Sequence, residues 1–144
     1  LPFCVAFIGD SLSMYGGMLF GKRKMAPSVS PHKTWAGAIA GLLGKVGDGC
    51  TVEQPLFCTY GYNTTLGDNV FINVNCKLMD SGKITIGNNV FIAPNVCLIT
   101  EEHAMDVEQR LAGLEYTHPV TIGDNVWICT GAIILPGVTI GAIK

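Results

Sequence analysis

Large aliphatic side chains recur every six positions through residues 46–144. Leu66, Ile72 and Leu78 form one run, Ile86, Ile92 and Leu98 a second, and Ile122, Ile128, Ile134 and Ile140 a third. Four residues after members of these runs come small apolar side chains: Val70, Cys76, Val90, Val96, Val126, Ala132 and Val138. One residue after them glycine dominates, at Gly67, Gly87, Gly123 and Gly141, and Val46, Gly47 and Cys50 obey the same rule. The tracts LGDNVFI (from Leu66), IGNNVFI (from Ile86) and IGDNVWI (from Ile122) are nearly identical. A repeat of this kind outranks local propensity in deciding the fold.

Period six is neither the 3.6 of a helix nor the alternation of a half-buried strand. It predicts a triangular coil with one short strand per side, an inward aliphatic on each side, and Gly or Asn at corners that need left-handed dihedrals. Stacking such coils places each aliphatic on its counterpart one turn away, a core that no single coil can bury. The fold class is all-β, a parallel β-helix. Two places interrupt the period. Ile86 follows Leu78 by eight residues, which predicts a bulge at Ser81–Lys83. Between Leu98 and Ile122 lies ITEEHAMDVEQRLAGLEYTHPV, too polar for six-residue sides. A long loop projecting from a rigid scaffold is where function concentrates.

Composition adds a second theme. Eighteen glycines and 49 % apolar residues among 144 suit a corner-rich, packed domain and exclude overall disorder. The net charge of −2 hides an asymmetry: residues 1–45 hold five Lys/Arg against one Asp, and the remainder four against ten Asp/Glu. That break divides the chain into a leader, residues 1–41, and a β-helix domain, 42–144. The acidic domain has no basic stripe for nucleic acid. Six cysteines without a CxxC pair or a secretory signal read as free, buried thiols of a cytoplasmic protein. No metal is expected, because the repeat region offers only His103 and His118 where a three-histidine zinc site would need one more.

The leader opens with an apolar stretch broken by Asp10, Ser11 and Ser13, too interrupted for a membrane span. It continues through Lys22–Lys24 to the motif SPHKTWAG at Ser30–Gly37. This stretch resembles bacterial phosphatidate cytidylyltransferase over about 40 residues. The resemblance places Asp10 among metal-binding acids. Ala36 stands where that family usually has Glu, and the family's downstream acidic signature is absent. The leader is therefore expected to be a short helical appendage without cytidylyltransferase activity and without membrane contact.

From residue 42 onward the motifs are LLGKVG (42–47), YGYN (60–63), FINVN (71–75), LMD (78–80), TEEHAMDVEQR (100–110), GLEY (113–116) and GAIILPGVTIG (131–141). In this order they resemble the maltose and galactoside O-acetyltransferases, hexapeptide-repeat acyltransferases whose β-helix is left-handed. The resemblance implies transfer of acetyl from acetyl-CoA to a sugar hydroxyl, and a homotrimer with each active site shared between adjacent subunits. A hydroxyl is a poor nucleophile near neutrality, so a base must take its proton. His103 matches that base. Asn73 matches an acceptor-site asparagine, and Glu115 is placed to orient His103 and stabilise its imidazolium. Asp80, Tyr62, Thr59 and Trp127 match positions around the sugar, Arg110 is a candidate for loop closure, and Ala93 and Thr130 begin the CoA surface.

Two departures matter. The family motif reads HPMD where this chain has His103–Ala104, which loosens the loop. Relatives also continue for about two coils beyond the position of Lys144, so the domain is expected to be incomplete at its C-terminus. Alternative readings are a xenobiotic acetyltransferase of the streptogramin type and a β-helix chimera without activity. Phe71, Phe91 and Trp127 follow hexad corners where side chains point outward, which favours self-association.

Overall fold

One six-residue period becomes one side of a triangular coil. The computed structural model describes residues 43–144; the helical leader expected over 1–41, with Asp10 and Cys4, lies outside the described residues. Gly44–Lys144 forms one compact unit. Its first coil contains β1 (Lys45–Val46), β2 (Thr51–Val52) and β3 (Leu56–Cys58). The second contains β4 (Thr64–Leu66), β5 (Phe71–Ile72) and β6 (Cys76–Met79), and the third β7 (Ile84–Ile86), β8 (Phe91–Ile92) and β9 (Cys97–Ile99). An excursion then carries β10 (Glu101–His103), α1 (Val107–Leu111) and β11 (Glu115–Thr117). The fourth coil contains β12 (Val120–Ile122), β13 (Trp127–Ile128) and β14 (Ile133–Ile134), and β15 (Thr139–Ile140) opens a fifth.

Strands of one side pair in parallel into three sheets, β1-β4-β7-β12-β15, β2-β5-β8-β13 and β3-β6-β9-β14. Their register is the one the aliphatic repeat demands. Leu66 pairs with Ile86 and Ile86 with Ile122, Ile72 with Ile92 and Ile92 with Ile128, and Cys58 with Leu78 and Leu78 with Leu98. These aliphatics are buried from Leu66 to Ile128, as are the small Val70, Cys76, Val90, Val96 and Val126. Each buried Leu or Ile contributes about 2 kcal/mol of transfer free energy, and stacking joins the contributions into one core.

The left-handed corners use both expected residue types. Positive φ falls on glycine at the corners Gly49, Gly131 and Gly137 and on asparagine at Asn69, Asn75, Asn89, Asn95 and Asn125. The asparagine side chains form ladders from coil to coil: Asn69 Nδ2 donates to Asn89 Oδ1 at 3.2 Å and Asn89 Nδ2 to Asn125 Oδ1 at 3.1 Å. The glycines that follow inward aliphatics, Gly67, Gly87 and Gly123, serve space. A Cβ on Gly67 would meet the carbonyl carbon of Gly87 at 2.7 Å. So Asn and Gly share the left-handed turns, and the glycine after an inward aliphatic lets the next coil lie close.

Insertions occupy a single edge. Partners one coil apart are separated by 20 residues from Lys45 to Thr65 and from Thr65 to Thr85, by 36 from Thr85 to Thr121, and by 18 from Thr121 to Thr139. Every departure from 18 lies between the third and first sheets: at 59–63, at 79–83, and in the long excursion. The period therefore breaks in three places rather than two, because Leu66 also follows Cys58 by eight residues. The excursion folds as an antiparallel β10–β11 hairpin with α1 at its far end.

The outer faces differ in chemistry. Outside the first sheet runs a polar column, Lys45, Thr65, Thr85, Thr121 and Thr139. Outside the second runs Thr51, Phe71, Phe91 and Trp127, with Phe91 54 % and Trp127 69 % exposed. Phe57 and Ile133 stand exposed on the third. Among the described residues no helix is long and apolar enough to cross a membrane, and no three His, Cys, Asp or Glu side chains gather to hold a metal.

The five described cysteines are free, but not all are buried: Cys50 and Cys76 are, Cys58 and Cys97 are half-buried, and Cys129 is exposed. Cys129 departs from the buried-thiol expectation because it follows β13 at a corner, outside the inward register. Burial, with Asp80 nearby, pushes the Cys58 thiol up to about 12, and burial also raises Cys50, Cys76 and Cys97. At pH 8 Cys58 is thiolate to only ~10⁻⁴. Mass-spectrometric mapping of iodoacetamide labelling in the folded protein should find Cys129 modified and Cys58 protected; equal rates would contradict the burial. Gly67→Ala is expected to destabilise the fold by about 1–3 kcal/mol. Gly141→Ala, where a Cβ meets nothing within 4 Å, should change stability by less than ~0.5 kcal/mol. Urea unfolding of both variants measures the contrast.

Candidate active site

The third edge, where the extra residues collect, is organised around a buried carboxylate. Asp80 is fully buried just after β6. Its Oδ1 accepts from the backbone N–H groups of Tyr60 and Gly61, each at 2.9 Å. Its Oδ2 accepts from Asn63 N–H at 3.2 Å and the Thr64 hydroxyl at 3.3 Å. Asn63 returns the contact, its Nδ2 donating to the Asp80 carbonyl at 2.9 Å. The extra residues of the first coil are thus wrapped over a carboxylate supplied by the second. The wrap presents Tyr60 and Tyr62 outward, with ring centroids 5.4 Å apart. Thr59 lies beside them, its hydroxyl 3.9 Å from the Met79 sulfur.

The third coil joins the same edge through Thr100, also fully buried. Its hydroxyl donates to the Met79 carbonyl at 2.7 Å and accepts from Gly82 N–H at 2.8 Å. From this anchor β10 leaves the prism, and β11 returns with His118 N–H donating to the Thr100 carbonyl at 2.8 Å.

The hairpin sets His103 directly opposite Glu115. His103 Nε2 lies 3.5 Å from Glu115 Oε1, both side chains more than half exposed. Side chains alternate across a hairpin, so Glu102 and His118 share the other face, where their Nε2 and Oε1 also stand 3.5 Å apart. The rest of the loop motif holds this geometry. Asp106 caps α1, its Oδ1 accepting from Gln109 N–H at 3.0 Å. The Tyr116 hydroxyl donates to Gln109 Oε1 at 2.9 Å. Arg110 Nη1 donates to the carbonyls of Ala104 and Met105 at 3.1 and 3.0 Å. Ala104, the residue in place of proline, is buried, and its N–H faces the Leu114 carbonyl at 3.4 Å.

The remaining candidates stand on another edge, between the second and third sheets. Asn73 follows β5, its Oδ1 accepting from Val74 N–H at 2.7 Å. Asn73 N–H donates to the Ile92 carbonyl, and Ala93 N–H to that of Ile128, so Ala93 lies one coil beyond Asn73. Thr130 occupies the same edge a coil further, and Trp127 projects from the adjoining sheet. Within one chain, then, His103, Glu115, Tyr62 and Thr59 share the third edge, whereas Asn73, Ala93, Thr130 and Trp127 do not join them.

Asp80 was expected to accept hydrogen bonds from sugar hydroxyls, but its carboxylate is sealed from solvent and its oxygens are taken up by the 60–64 turn. Within the chain this carboxylate holds that turn in place. The missed signal was the eight-residue step from Cys58 to Leu66, which puts an extra turn directly above Asp80. Thr100 and the Glu102–His118 pair were also missed, since nothing in the linear sequence marks which loop residues return to the prism.

Asp80→Ala would strand four donors in the interior, and is expected to cost about 3 kcal/mol or more. Chemical denaturation checks this; a fully stable variant with only a raised sugar KM would restore the substrate-binding assignment.

The sequence profile of the cytidylyltransferase family matches residues 1–82. That match runs past the leader into residues 44–82, which fold as the first two coils. Nodulation protein L of Rhizobium meliloti (strain 1021) is 50 % identical over 97 residues, 67 % of this chain and 53 % of its own length. The chain spans about half the length of the curated relatives it matches. A maltose O-acetyltransferase from Clostridium difficile 630 superposes with a TM-score of 0.74 at 40 % identity, over 94 % of this chain and 70 % of that one. A galactoside acetyltransferase in complex with coenzyme A gives 0.74 at 35 % identity, over 94 % and 67 %. With cytidylyltransferase-family sequence at its N-terminal end, the chain belongs through its β-helix to the hexapeptide-repeat O-acetyltransferases.

Proposed function

We propose that residues 42–144 carry out acetyl transfer from acetyl-CoA to a sugar hydroxyl, with His103 as general base. The observation that carries this reading is the His103–Glu115 pair at 3.5 Å on a braced hairpin. With Glu115 at Nε2, the Nδ1 nitrogen is the one free to take the proton. The hydroxyl oxygen attacks the thioester carbonyl as His103 removes its proton, and Glu115 stabilises the imidazolium that forms. Collapse of the tetrahedral intermediate expels the CoA thiolate, to which the imidazolium returns the proton. No metal is needed for any step.

The co-substrate assignment draws support from the relative solved with coenzyme A, and the acceptor class from the maltose and galactoside enzymes. In this reading Tyr62 and Thr59 contact the sugar on the hairpin's edge. Asn73, Trp127, Ala93 and Thr130 belong to the other half of the site, with Ala93 and Thr130 beginning the CoA surface. Those halves stand on different edges of one prism, so a neighbouring subunit has to complete the site, which supports the homotrimer. The exposed Phe91 and Trp127 beside the second half favour the same assembly, since aromatics of that size gain by packing. The leader, residues 1–41, is proposed as a separate appendage that takes no part in the chemistry. Free thiols and acetyl-CoA both point to the cytoplasm.

His103→Ala is expected to lower kcat by about 10²–10⁴-fold while leaving the fold intact. An acetyl-CoA assay over a panel of mono- and disaccharides, run on both proteins, supplies the test. An unchanged rate in the variant would remove His103 from the mechanism.

A further inference from the structure

His103 lies on a hairpin arm that contributes little to the core. Of the residues from Glu102 to Pro119, only Ala104 is buried, and α1 buries none. An excursion of this length without apolar anchoring pays a large entropic cost to hold one geometry. A base must nevertheless meet its proton within hydrogen-bond distance. Something polar has to fix the backbone at residue 103.

Arg110 occupies the place from which that can be done. Its Nη1 donates to two successive carbonyls, Ala104 at 3.1 Å and Met105 at 3.0 Å, immediately after His103. The arginine is itself held by its helix, whose start Asp106 caps and whose Gln109 is tied to Tyr116 on the returning strand. Tyr116 stands next to Glu115 in β11. A closed ring of contacts therefore runs from His103 through the 104–105 backbone, Arg110, α1, Gln109 and Tyr116 to Glu115. Planar guanidinium suits such a task, because its donors are fixed in direction and its charge strengthens each bond.

We propose that Arg110 is a positioning residue for acetyl transfer, clamping the backbone after His103 so that the imidazole and Glu115 keep their mutual geometry. This inference rests on the proposed role of His103, but the clamp can be read without turnover.

The test compares the full chain with Arg110→Met, which keeps the apolar stem, and Arg110→Lys, which keeps the charge without the planar head. Arg110→Met should lose about tenfold to a hundredfold in kcat, the scale of a small misplacement, with KM for sugar and acetyl-CoA within twofold. Its melting midpoint should match the wild type, since the hairpin is peripheral to the core. Added guanidinium ion at low millimolar concentration should restore part of the lost rate in Arg110→Met and leave His103→Ala inactive. Arg110→Lys should fall between the two. Independently, exchange of the Ala104 amide proton should accelerate in Arg110→Met. A variant with wild-type kcat, or a loss of rate that follows a drop in melting midpoint and resists guanidinium, would overturn the proposal. If the wild-type chain transfers no acetyl group, the proposed function fails, and an unchanged Ala104 exchange rate would then refute the clamp as well.

Discussion

Every coil of this protein must lie on the one before it with its inward aliphatics in register. Ile86 sits between Leu66 and Ile122, and Ile92 between Ile72 and Ile128. A one-residue slip in any strand would turn its aliphatic outward, so the sides cannot absorb insertions. Two of the three edges are equally constrained, since asparagines with positive φ are hydrogen-bonded to asparagines of the next coil, Asn69 to Asn89 and Asn75 to Asn95. Extra residues accumulate at the remaining edge. There they are fastened by buried polar groups: Asp80 for the first coil's insertion, and Thr100 for those of the second and third.

That arrangement gives the candidate site its form. The insertion edge carries the Tyr60–Tyr62 turn and the His103–Glu115 hairpin in fixed succession, because Asp80 ties the first insertion to the second coil and Thr100 ties the second to the root of the hairpin. The edge bearing Asn73 stays free of insertions and is flanked by exposed aromatics. A rigid prism cannot bring two of its edges together. In the proposed mechanism the two sets of residues therefore meet across a subunit boundary, with the hairpin of one chain facing the Asn73 edge of its neighbour.

Much of this was legible in the residues. The six-residue period is a direct image of the fold, since each inward aliphatic reports one side of one coil, and the polar insertion before Ile122 marked the excursion. What escaped notice depended on contacts between coils. The carboxylate of Asp80 reads like a solvent-facing ligand in sequence, and only the turn stacked above it shows where its acceptors go. Left-handed corners at Gly or Asn were legible, as at Gly49 and Asn69, but the glycine after an inward aliphatic serves the close approach of neighbouring coils, as at Gly67 and Gly87. Arg110 could be linked to loop closure by resemblance, yet the two carbonyls it holds lie five and six residues upstream, a spacing that no local rule predicts.

The central claim is that one prism carries two half-sites, each completed by another subunit. Mixing His103→Ala chains with Asn73→Ala chains, unfolding them together and refolding, tests it directly through the acetyl-transfer rate. Each parent alone should be nearly inactive. Pairing the intact His103 of one chain with the intact Asn73 of the next should restore one site in three of each mixed trimer, about a quarter of the wild-type rate over an equimolar mixture. A mixture no more active than its two parents would contradict the account.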